Sequence, residues 1–171
     1  MLVVLCGPSF CGKSTLAKRM QLEHGFEVVS LDDINARRGL WGGEGIAEEE
    51  WGKTHQMALE ETAQALEKGS RVVVDDTNCF RFLRENFRNV ARKQKCDFEL
   101  WVIKPPLEIL EQRRAENEKT GLRRGIANDL FQSHINSFEW PKDEEDPIIL
   151  DYQALNGQRL ASLLNANGNM F

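Results

Sequence analysis

The sequence predicts an α/β protein of three layers, in which a mostly parallel, doubly wound sheet lies between helices. Short apolar runs rich in β-branched residues alternate with longer amphipathic segments, and this alternation is typical of a parallel sheet covered by helices. A glycine-rich loop directly follows the first apolar run, as in open sheets that bind ligands at strand ends. The 171 residues suffice for one domain, which we expect at residues 1–165, with a disordered tail at 166–171.

The glycine-rich loop lies between a first strand, predicted at residues 2–6, and a first helix, predicted at residues 14–24. It matches the pattern G-x-x-x-x-G-K-S/T, although Phe10 stands where many such loops have a third glycine. The pattern is typical of a nucleoside triphosphate site, because backbone N–H groups and a helix N-terminus attract phosphates, a lysine adds a cation and a hydroxyl can bind Mg²⁺. A glycine turn with a solvated lysine is the alternative. The residues predicted to bind the nucleotide are Gly7, Pro8, Ser9, Phe10, Cys11, Gly12, Lys13, Ser14 and Thr15.

Two carboxylates follow the second predicted strand, which spans about residues 26–31. Asp32 and Asp33 begin a short helical segment that ends near Gly39. Ligands of open α/β sheets bind beyond the carboxyl ends of the strands, so these carboxylates are candidates for chemistry. Capping of the helix N-terminus is the alternative role for an aspartate here. The glycine-rich residues 40–45 could cover a substrate or merely form a turn.

A continuous β-branched run at residues 72–74 predicts a third strand, buried on both faces beside the strand that precedes the loop. The run ends in Asp75 and Asp76, as in a Walker B element. We expect one of the two aspartates to face the Mg²⁺ ion held by Ser14, directly or through water. The pattern leaves open which of the two it is.

Two helices flank the third strand along the chain. The first, predicted at residues 48–68, carries His55 on its apolar side, where packing is a more ordinary role than catalysis. The second, predicted at residues 80–94, has an apolar side and a separate stripe of four arginines. A solvated basic face and a contact near the active site are both open interpretations of this stripe. Its members are Arg81, Arg84, Arg88 and Arg92.

The last third of the chain predicts a fourth strand at residues 98–103, two helices, a last strand at 148–150 and a short helix around 158–164. The two helices are joined by a polar connector at 119–125, and arginines lie on both sides of it. Lids that close over phosphates are built in this way, and we place the lid at about 113–140. An ordinary charged surface loop is the alternative. The four arginines are Arg113, Arg114, Arg123 and Arg124.

The composition narrows the classes of function. The net charge is −5 and the pI about 5.3, so no overall basic field favours non-specific binding of nucleic acid. The four cysteines form no C-x-x-C pair and have no histidine at zinc-ligand spacing, which predicts unpaired thiols in a reducing compartment. The first apolar run is too short for a signal sequence or a membrane span. We therefore expect a cytoplasmic protein without a membrane partner.

Several motifs together resemble those of the polynucleotide-kinase-like P-loop kinases. They are the loop GPSFCGKST, the SLDD after the second strand, VVVDDTN followed by Arg84, the arginine-bearing lid, and FEWP after the lid helix. The resemblance spans roughly residues 1–141. The loop is common to all P-loop proteins, whereas the combination of SLDD, DDTN and lid arginines is more specific. The resemblance implies a P-loop kinase fold, ATP and Mg²⁺ as cofactors, and transfer of the γ-phosphate to a hydroxyl group.

The resemblance implies roles for the residues around the nucleotide. Lys13 and the loop amides would bind the β- and γ-phosphates, and Ser14 would bind Mg²⁺. Asp76 matches the family's acid before Thr-Asn, and Asp75 is a second candidate for the metal. Asp32 matches the first acid of the family's pair and would be the general base that accepts the proton of the attacking hydroxyl.

Further residues are implied in charge neutralisation and in acceptor binding. Arg113 with Arg123 or Arg124 would neutralise the charge that develops on the transferred phosphoryl group. Asn35 departs from the family pattern, because polynucleotide kinase has at this position an arginine that binds the phosphate of its substrate. The residues expected to contact the acceptor are Asp33, Asn35, Arg38, Asn78 and Arg84.

These features favour an ATP-dependent kinase that phosphorylates a hydroxyl group on a small molecule, a nucleotide or a nucleic-acid end. Asp32 favours this function over a regulatory nucleotide-binding switch, because a switch needs no base for an acceptor hydroxyl. A nucleic-acid-binding module is a third hypothesis, and the acidic charge counts against it. Asn35 and the net charge favour a small acceptor over a 5′-hydroxyl polynucleotide, unless Arg37 or Arg38 restores the missing phosphate contact.

Overall fold

The computed structural model describes residues 1–40, 45–121, 125–150, 152 and 162. Within the described residues, no helix is both long and apolar enough to cross a membrane. The helices and strands follow one another in the order β1 (Leu2–Cys6), α1 (Lys13–His24), β2 (Glu27–Ser30), α2 (Leu31–Arg37), α3 (Glu48–Glu67), β3 (Val72–Asp75), α4 (Arg81–Gln94), β4 (Phe98–Ile103), α5 (Leu107–Thr120), α6 (Asn128–Asn136) and β5 (Pro147–Leu150).

The sheet consists of five parallel strands in the order β2-β3-β1-β4-β5. The central strand β1 pairs with β3 on one side and with β4 on the other. The chain therefore forms β2 and β3 on one side of β1 and then crosses to the other side for β4 and β5. Connections diverge at such a point and leave a crevice at the carboxyl ends of the strands. The loop after β1 lies at this crevice.

Alternate residues of β1 supply two cores, one on each face of the sheet. Val3 and Leu5 belong to the core that includes side chains of α1, α5 and α6. Leu2, Val4 and Cys6 belong to the core that includes side chains of α2, α3 and α4. Because the side chains of a strand alternate between its faces, helices cover both faces of the sheet. The predicted three-layer α/β class is therefore confirmed.

The start of α2 differs by a residue from the prediction. We expected the second strand to extend to Leu31, but α2 begins there. The Ser30 hydroxyl accepts a hydrogen bond from the Asp33 N–H at 3.3 Å and caps the helix. A serine side chain satisfies one of the N–H groups that a helix start leaves unpaired. The cap is thus Ser30, and the alternative that an aspartate caps this helix is wrong.

The region of the predicted lid is more helical than expected. Helix α5 continues to Thr120 and ends at Gly121 in the left-handed conformation, so the first part of the polar connector predicted at 119–125 belongs to a helix. Glycine suits this position because it has no Cβ to clash there. The helix predicted around 158–164 lies, apart from residue 162, outside the described residues, as does the predicted tail.

His55 is packed, as predicted. Its side chain is buried in α3, and its ring meets the Phe87 ring edge-on at 5.2 Å between centroids. Its Nε2 lies 3.2 Å from the Asn86 side-chain nitrogen. Burial lowers the pKa of His55, because an apolar environment disfavours the imidazolium. The residue joins α3 to α4 as a neutral imidazole.

The four cysteines are free thiols. Cys6 and Cys11 are buried in the two cores, and burial raises the pKa of the Cys6 thiol to about 12. A thiol with so high a pKa is unreactive at neutral pH, because the thiolate is the nucleophile. Cys6 therefore acts as a small apolar core residue.

A buried ion pair joins α4 to the residues before β5. Arg84 donates two hydrogen bonds to the Glu145 carboxylate, at 2.7 and 2.8 Å, and a third to the Asn78 carbonyl oxygen at 2.9 Å. The side chains of Arg84 and Glu145 are only 2% and 7% exposed. A buried guanidinium needs such partners, because an unpaired buried charge is strongly destabilising. These internal partners count against the prediction that Arg84 contacts the acceptor, since its donors are used inside the protein.

The other three arginines of the α4 stripe also have acidic or carbonyl partners. Each donates a hydrogen bond at 3.2 Å or less to an oxygen atom of a glutamate. The partners are Glu144 for Arg81, the backbone of Glu145 for Arg88, and Glu85 for Arg92. The stripe is therefore a surface of mixed charge, and it is not the uncompensated basic face that a nucleic-acid-binding module needs.

Replacing Glu145 with glutamine should lower the free energy of unfolding by about 3 kcal/mol, because the Arg84 charge then stays buried without a counterion. Urea denaturation at pH 7 measures the difference. Glu144→Gln is the matched control. Glu144 is the adjacent residue, and its pair with Arg81 is half-exposed, so we expect a change below about 1 kcal/mol. Equal losses in the two variants would contradict the assignment of a stabilising role to the buried pair.

The same pair should make stability depend on pH. Burial alone would raise the pKa of Glu145, but the hydrogen bonds and charge of Arg84 outweigh burial and hold this pKa below its usual value. A carboxyl with a lowered folded-state pKa contributes stability above its unfolded-state pKa, and this contribution is lost as the pH falls through the folded-state pKa. Below about pH 5, the stability of Glu145→Gln should therefore fall less steeply than that of the parent.

Candidate active site

The loop between β1 and α1 depends on glycine at two positions. A Cβ atom on Gly7 would lie 2.5 Å from the Ile103 carbonyl oxygen, so only glycine lets the loop pass the end of β4 this closely. Gly12 has a φ of 107° at the start of α1, and no described side chain caps this helix. The first amides of α1 thus lack a side-chain cap, as in helix N-termini that bind anions.

Phe10 is an unusual residue in this loop. It has a φ of 68°, a left-handed conformation that costs a non-glycine residue about 1 kcal/mol or more. Its ring is buried and meets the Phe131 ring of α6 edge-on at 6.2 Å between centroids. The Arg113 guanidinium of α5 donates to the carbonyl oxygens of Phe10 and Cys11 at 2.9 and 3.2 Å. Helix α5 therefore contacts the loop backbone, and α6 contacts the Phe10 ring.

Lys13 lies against the same loop at the first position of α1. Its Nζ donates to the carbonyl oxygens of Gly7 and Pro8, both at 2.9 Å, and lies 3.7 Å from the Cys11 sulfur. The side chain is only 7% exposed. A buried ammonium surrounded by weak acceptors can take a stronger anionic partner, because charge-assisted hydrogen bonds are stronger than those to neutral groups.

Asp75 is the last residue of β3, and Asp76 follows it beside the loop. The Ser14 hydroxyl lies close enough to the Asp75 carboxylate to lower its pKa by hydrogen bonding, and the Asp76 carboxylate accepts from the Asn78 N–H at 3.1 Å. Burial raises the pKa of both carboxyls, and the positive charge of Lys13 opposes this rise. The Ser14 contact favours Asp75 over Asp76 as the aspartate nearest the expected Mg²⁺ position.

These groups fit Mg²⁺ bound together with a nucleotide. A hydroxyl and a carboxylate, Ser14 and Asp75, meet at the start of α1, and both are oxygen ligands that Mg²⁺ prefers. Among the described residues, no group of three or more His, Cys, Asp or Glu side chains could hold a metal. Mg²⁺ in phosphotransferases needs only one or two protein ligands, because phosphates and water complete its coordination.

The two aspartates at the start of α2 have different surroundings. Both side chains are exposed. The charge of Asp32 raises the pKa of Asp75 and of Asp76, so Asp32 lies within electrostatic reach of both. The charge of Asp33 instead helps to raise the pKa of Arg37, after the larger effect of the hydrogen bond that Arg37 donates to Glu61. Of the two aspartates, Asp32 is therefore the one that interacts electrostatically with the carboxylates beside the loop.

Three further residues predicted to contact the acceptor are engaged inside the protein. The Asn35 side chain is buried and accepts a hydrogen bond from Thr54 at 2.5 Å. Arg38 donates to the same Thr54 hydroxyl at 2.6 Å and pairs with Glu50. Asn78 is fully buried, and its amide donates to the Leu5 carbonyl oxygen at 2.8 Å. These contacts count against the prediction that the three side chains bind the acceptor, because each connects elements of the fold. The Asn78 Oδ1 atom is buried without a hydrogen-bond partner among the described residues.

The remaining predicted groups fall partly outside the described residues. Arg123 and Arg124 of the predicted lid lie there, as do residues 41–44 of the predicted flap. Arg114 is described: it pairs with Glu118, and its guanidinium lies 5.7 Å from the centre of the Phe131 ring. Arg114 thus supports the α5–α6 contact.

Several residues that support this site are distant in the chain from the site residues they contact, and the sequence did not predict them. Thr54, Phe131 and Glu145 contact predicted site residues, yet each lies 19 or more positions from its partner in the chain. Only Ser30 had a local signal, because a serine three residues before Asp33 fits the pattern of a helix cap. Contacts between distant residues have no such signal in a single sequence.

The chain is similar in sequence to proteins of known family. A family model described as an AAA domain matches residues 2–138. A relative described as L-seryl-tRNA(Sec) kinase, from Methanococcus maripaludis, is 25% identical over 148 residues, which cover 82% of this chain and 53% of the relative. A relative described as a probable adenylyl-sulfate kinase, from Bacillus subtilis, is 31% identical over 150 residues, which cover 86% of this chain and 74% of the relative. The chain thus spans about half the length of the first of these relatives.

A solved structure shares the fold. The APS kinase CysC of Mycobacterium tuberculosis, in complex with AMPPNP and APS, matches with a TM-score of 0.68 at 18% identity, and the match covers 98% of this chain and 97% of that chain. Identity this low supports the fold alone. The family model spans most of the chain, and the Bacillus relative is similar over most of its own length. The chain therefore belongs to the P-loop kinase family that the AAA domain model describes.

Proposed function

We propose that this protein is an ATP-dependent kinase that transfers the γ-phosphate to a hydroxyl acceptor. The observation that carries the proposal is the exposed Asp32 carboxylate, which lies within electrostatic reach of Asp75 and Asp76. A site that only binds a nucleotide has no use for a base at this position, whereas an attacking hydroxyl must lose its proton. The kinase relatives in the family support the same function.

The loop and α1 would bind the phosphates. The Lys13 ammonium would exchange the carbonyl oxygens of Gly7 and Pro8 for phosphate oxygens, and the amides at the start of α1 would donate to the same anion. Ser14 and Asp75 would hold Mg²⁺, with Asp76 beside them. ATP bound with Mg²⁺ supplies the phosphoryl group to be transferred.

Asp32 would act on the acceptor. Its carboxylate oxygen would accept the hydroxyl proton as the hydroxyl oxygen attacks the γ-phosphorus. The bond from this phosphorus to the bridging oxygen of the β-phosphate would break, ADP would leave, and the proton would reside on Asp32. Arg113 would help to neutralise the developing charge, together with Arg123 and Arg124. The roles of these three arginines, the lid at about 113–140 and the single domain at 1–165 stay predictions, as does the cytoplasmic location.

We further propose that the acceptor is a small hydroxylated molecule or a single nucleotide. Polynucleotide binding draws affinity from free Lys and Arg side chains along the phosphates. Arg37 pairs with Glu61 and Arg38 pairs with Glu50. Both guanidinium groups are therefore already paired with a carboxylate, which disfavours their replacing the phosphate-binding arginine that polynucleotide kinase has at the position of Asn35. The net charge of −5 also disfavours a polyanion.

Transfer of labelled γ-phosphate to a panel of acceptors tests both proposals. We expect small sugars or nucleoside monophosphates to be labelled faster than a 5′-hydroxyl oligonucleotide, and all of them faster than water, at low and moderate salt. Label released to water alone would favour the regulatory switch. Faster labelling of the oligonucleotide, with a steep salt dependence that Arg37→Ala removes and Arg19→Ala does not, would favour a polynucleotide kinase. Arg19 is the matched control because it has a comparable exposed pair with Glu23.

A further inference from the structure

Phe10 combines two features that nucleotide binding alone does not explain. It adopts the left-handed backbone conformation at a φ of 68°, which glycine adopts freely and phenylalanine adopts only when other contacts hold it there. Its ring is 8% exposed and belongs to the core that includes α1, α5 and α6. The conformation of the phosphate loop is therefore tied to the burial of one side chain.

Two of the contacts that Phe10 makes come from helices of the predicted lid region. Phe131 of α6 is 1% exposed and packs edge-on against the Phe10 ring. Arg114 of α5 lies over the same Phe131 ring, and Arg113 of α5 donates to the carbonyl oxygens of Phe10 and Cys11. These helices flank the segment that carries Arg123 and Arg124. Lid helices and phosphate loop thus share one packed contact.

We propose that Phe10 is a positioning residue that couples the nucleotide-binding conformation of the loop to the position of α5 and α6. The physical reason is that a glycine at this place would keep its conformation without support, whereas the steric cost of this conformation for Phe10 is offset in part by its contacts with Phe131 and Arg113. Nucleotide affinity then depends on the lid helices, and by linkage a bound nucleotide stabilises the contact between α6 and the loop. The proposal rests on the proposed nucleotide site.

A double-mutant cycle on the affinity for Mg-ADP tests this coupling. Phe131→Ala should weaken Mg-ADP binding about tenfold in the full chain, a size typical of coupling between sites. In the Phe10→Gly background, the same Phe131→Ala change should alter the affinity less than twofold, because glycine no longer needs the support. Calorimetric titration gives the four dissociation constants, and thermal unfolding shows that each variant is folded. Phe131→Leu replaces Phe131→Ala if the alanine variant does not fold.

Phe26→Ala is the matched control. Phe26 is 3% exposed and lies in the same core, but the aromatic contact recorded for it is with Arg71, away from the loop. Its loss should lower the melting temperature and leave the affinity for Mg-ADP unchanged. The coupling is overturned if Phe131→Ala lowers only the melting temperature, or if its effect on affinity is equal with Phe10 and with Gly at position 10. If the cycle shows coupled Mg-ADP binding but the protein transfers phosphate to no acceptor, the kinase proposal is overturned and the coupling is retained.

Discussion

Replacing Lys13 with methionine is expected to lower the rate of phosphate transfer by about 10²–10³-fold, the size seen when one donor to a developing negative charge is removed. Methionine keeps most of the length of the buried stem and removes the ammonium, which donates to the Gly7 and Pro8 carbonyl oxygens. The expected loss reflects missing charge at the β- and γ-phosphates, where electrostatic stabilisation of the transferred group acts. Steady-state turnover and thermal unfolding of the variant are the measurements.

Lys18→Met is the matched control for this experiment. Lys18 lies on the same helix α1 but is exposed to solvent, so its replacement should leave turnover within about twofold. Unchanged turnover in Lys13→Met would remove Lys13 from the site. A melting temperature that falls by the same amount in both variants would show that any difference in turnover does not come from the fold.

Replacing Asp32 with asparagine is expected to lower kcat by about 10²–10⁴-fold, the contribution typical of a general base. The amide has the size of the carboxylate but cannot accept the proton of the acceptor hydroxyl. The affinity for ATP should change little, because Asp32 is exposed at the start of α2 and the predicted phosphate contacts come from the loop. Turnover measured beside the dissociation constant for ATP separates the two effects.

Asp33→Asn provides the comparison, since Asp33 is the adjacent exposed carboxylate and its recorded electrostatic partner is Arg37. We expect its turnover to stay within a few-fold of the parent. A larger loss in Asp33→Asn than in Asp32→Asn would assign the base to Asp33. Loss of Mg²⁺-dependent ATP binding in Asp32→Asn, with transfer retained by the bound fraction, would assign Asp32 to the metal site.

Local patterns in the sequence are enough to predict most of the helices and strands. The fourth strand lies at 98–103, as predicted, because the apolar run at 100–103 between polar segments has few other ways to bury itself. The loop motif carries its own geometry, since Gly7 and Gly12 meet steric demands that other residues do not. The position of Asp32 just beyond the carboxyl end of a parallel strand likewise follows from chain order.

Other features depend on contacts that no local pattern contains. The role of Arg84 depends on Glu145, 61 positions away, and the role of Asn35 depends on Thr54, 19 positions away. A sequence pattern can show that an arginine follows the third strand, but only the packing of α4 against the segment before β5 shows that its charge is already neutralised.

Local sequence patterns are enough to predict the fold class, the phosphate loop and the order in which the carboxylates follow the strands, because each of these depends on neighbouring residues and on the backbone. Which polar side chains are exposed, and which are used within the protein, follows only from the packing of distant residues. This packing turns Arg84, Asn35 and Asn78 into internal contacts, and it joins Phe10 to Phe131 across 121 positions. The physical reason is that burial and charge pairing are properties of the packed chain, which bring together residues whose separation in the sequence carries no information about their distance in space.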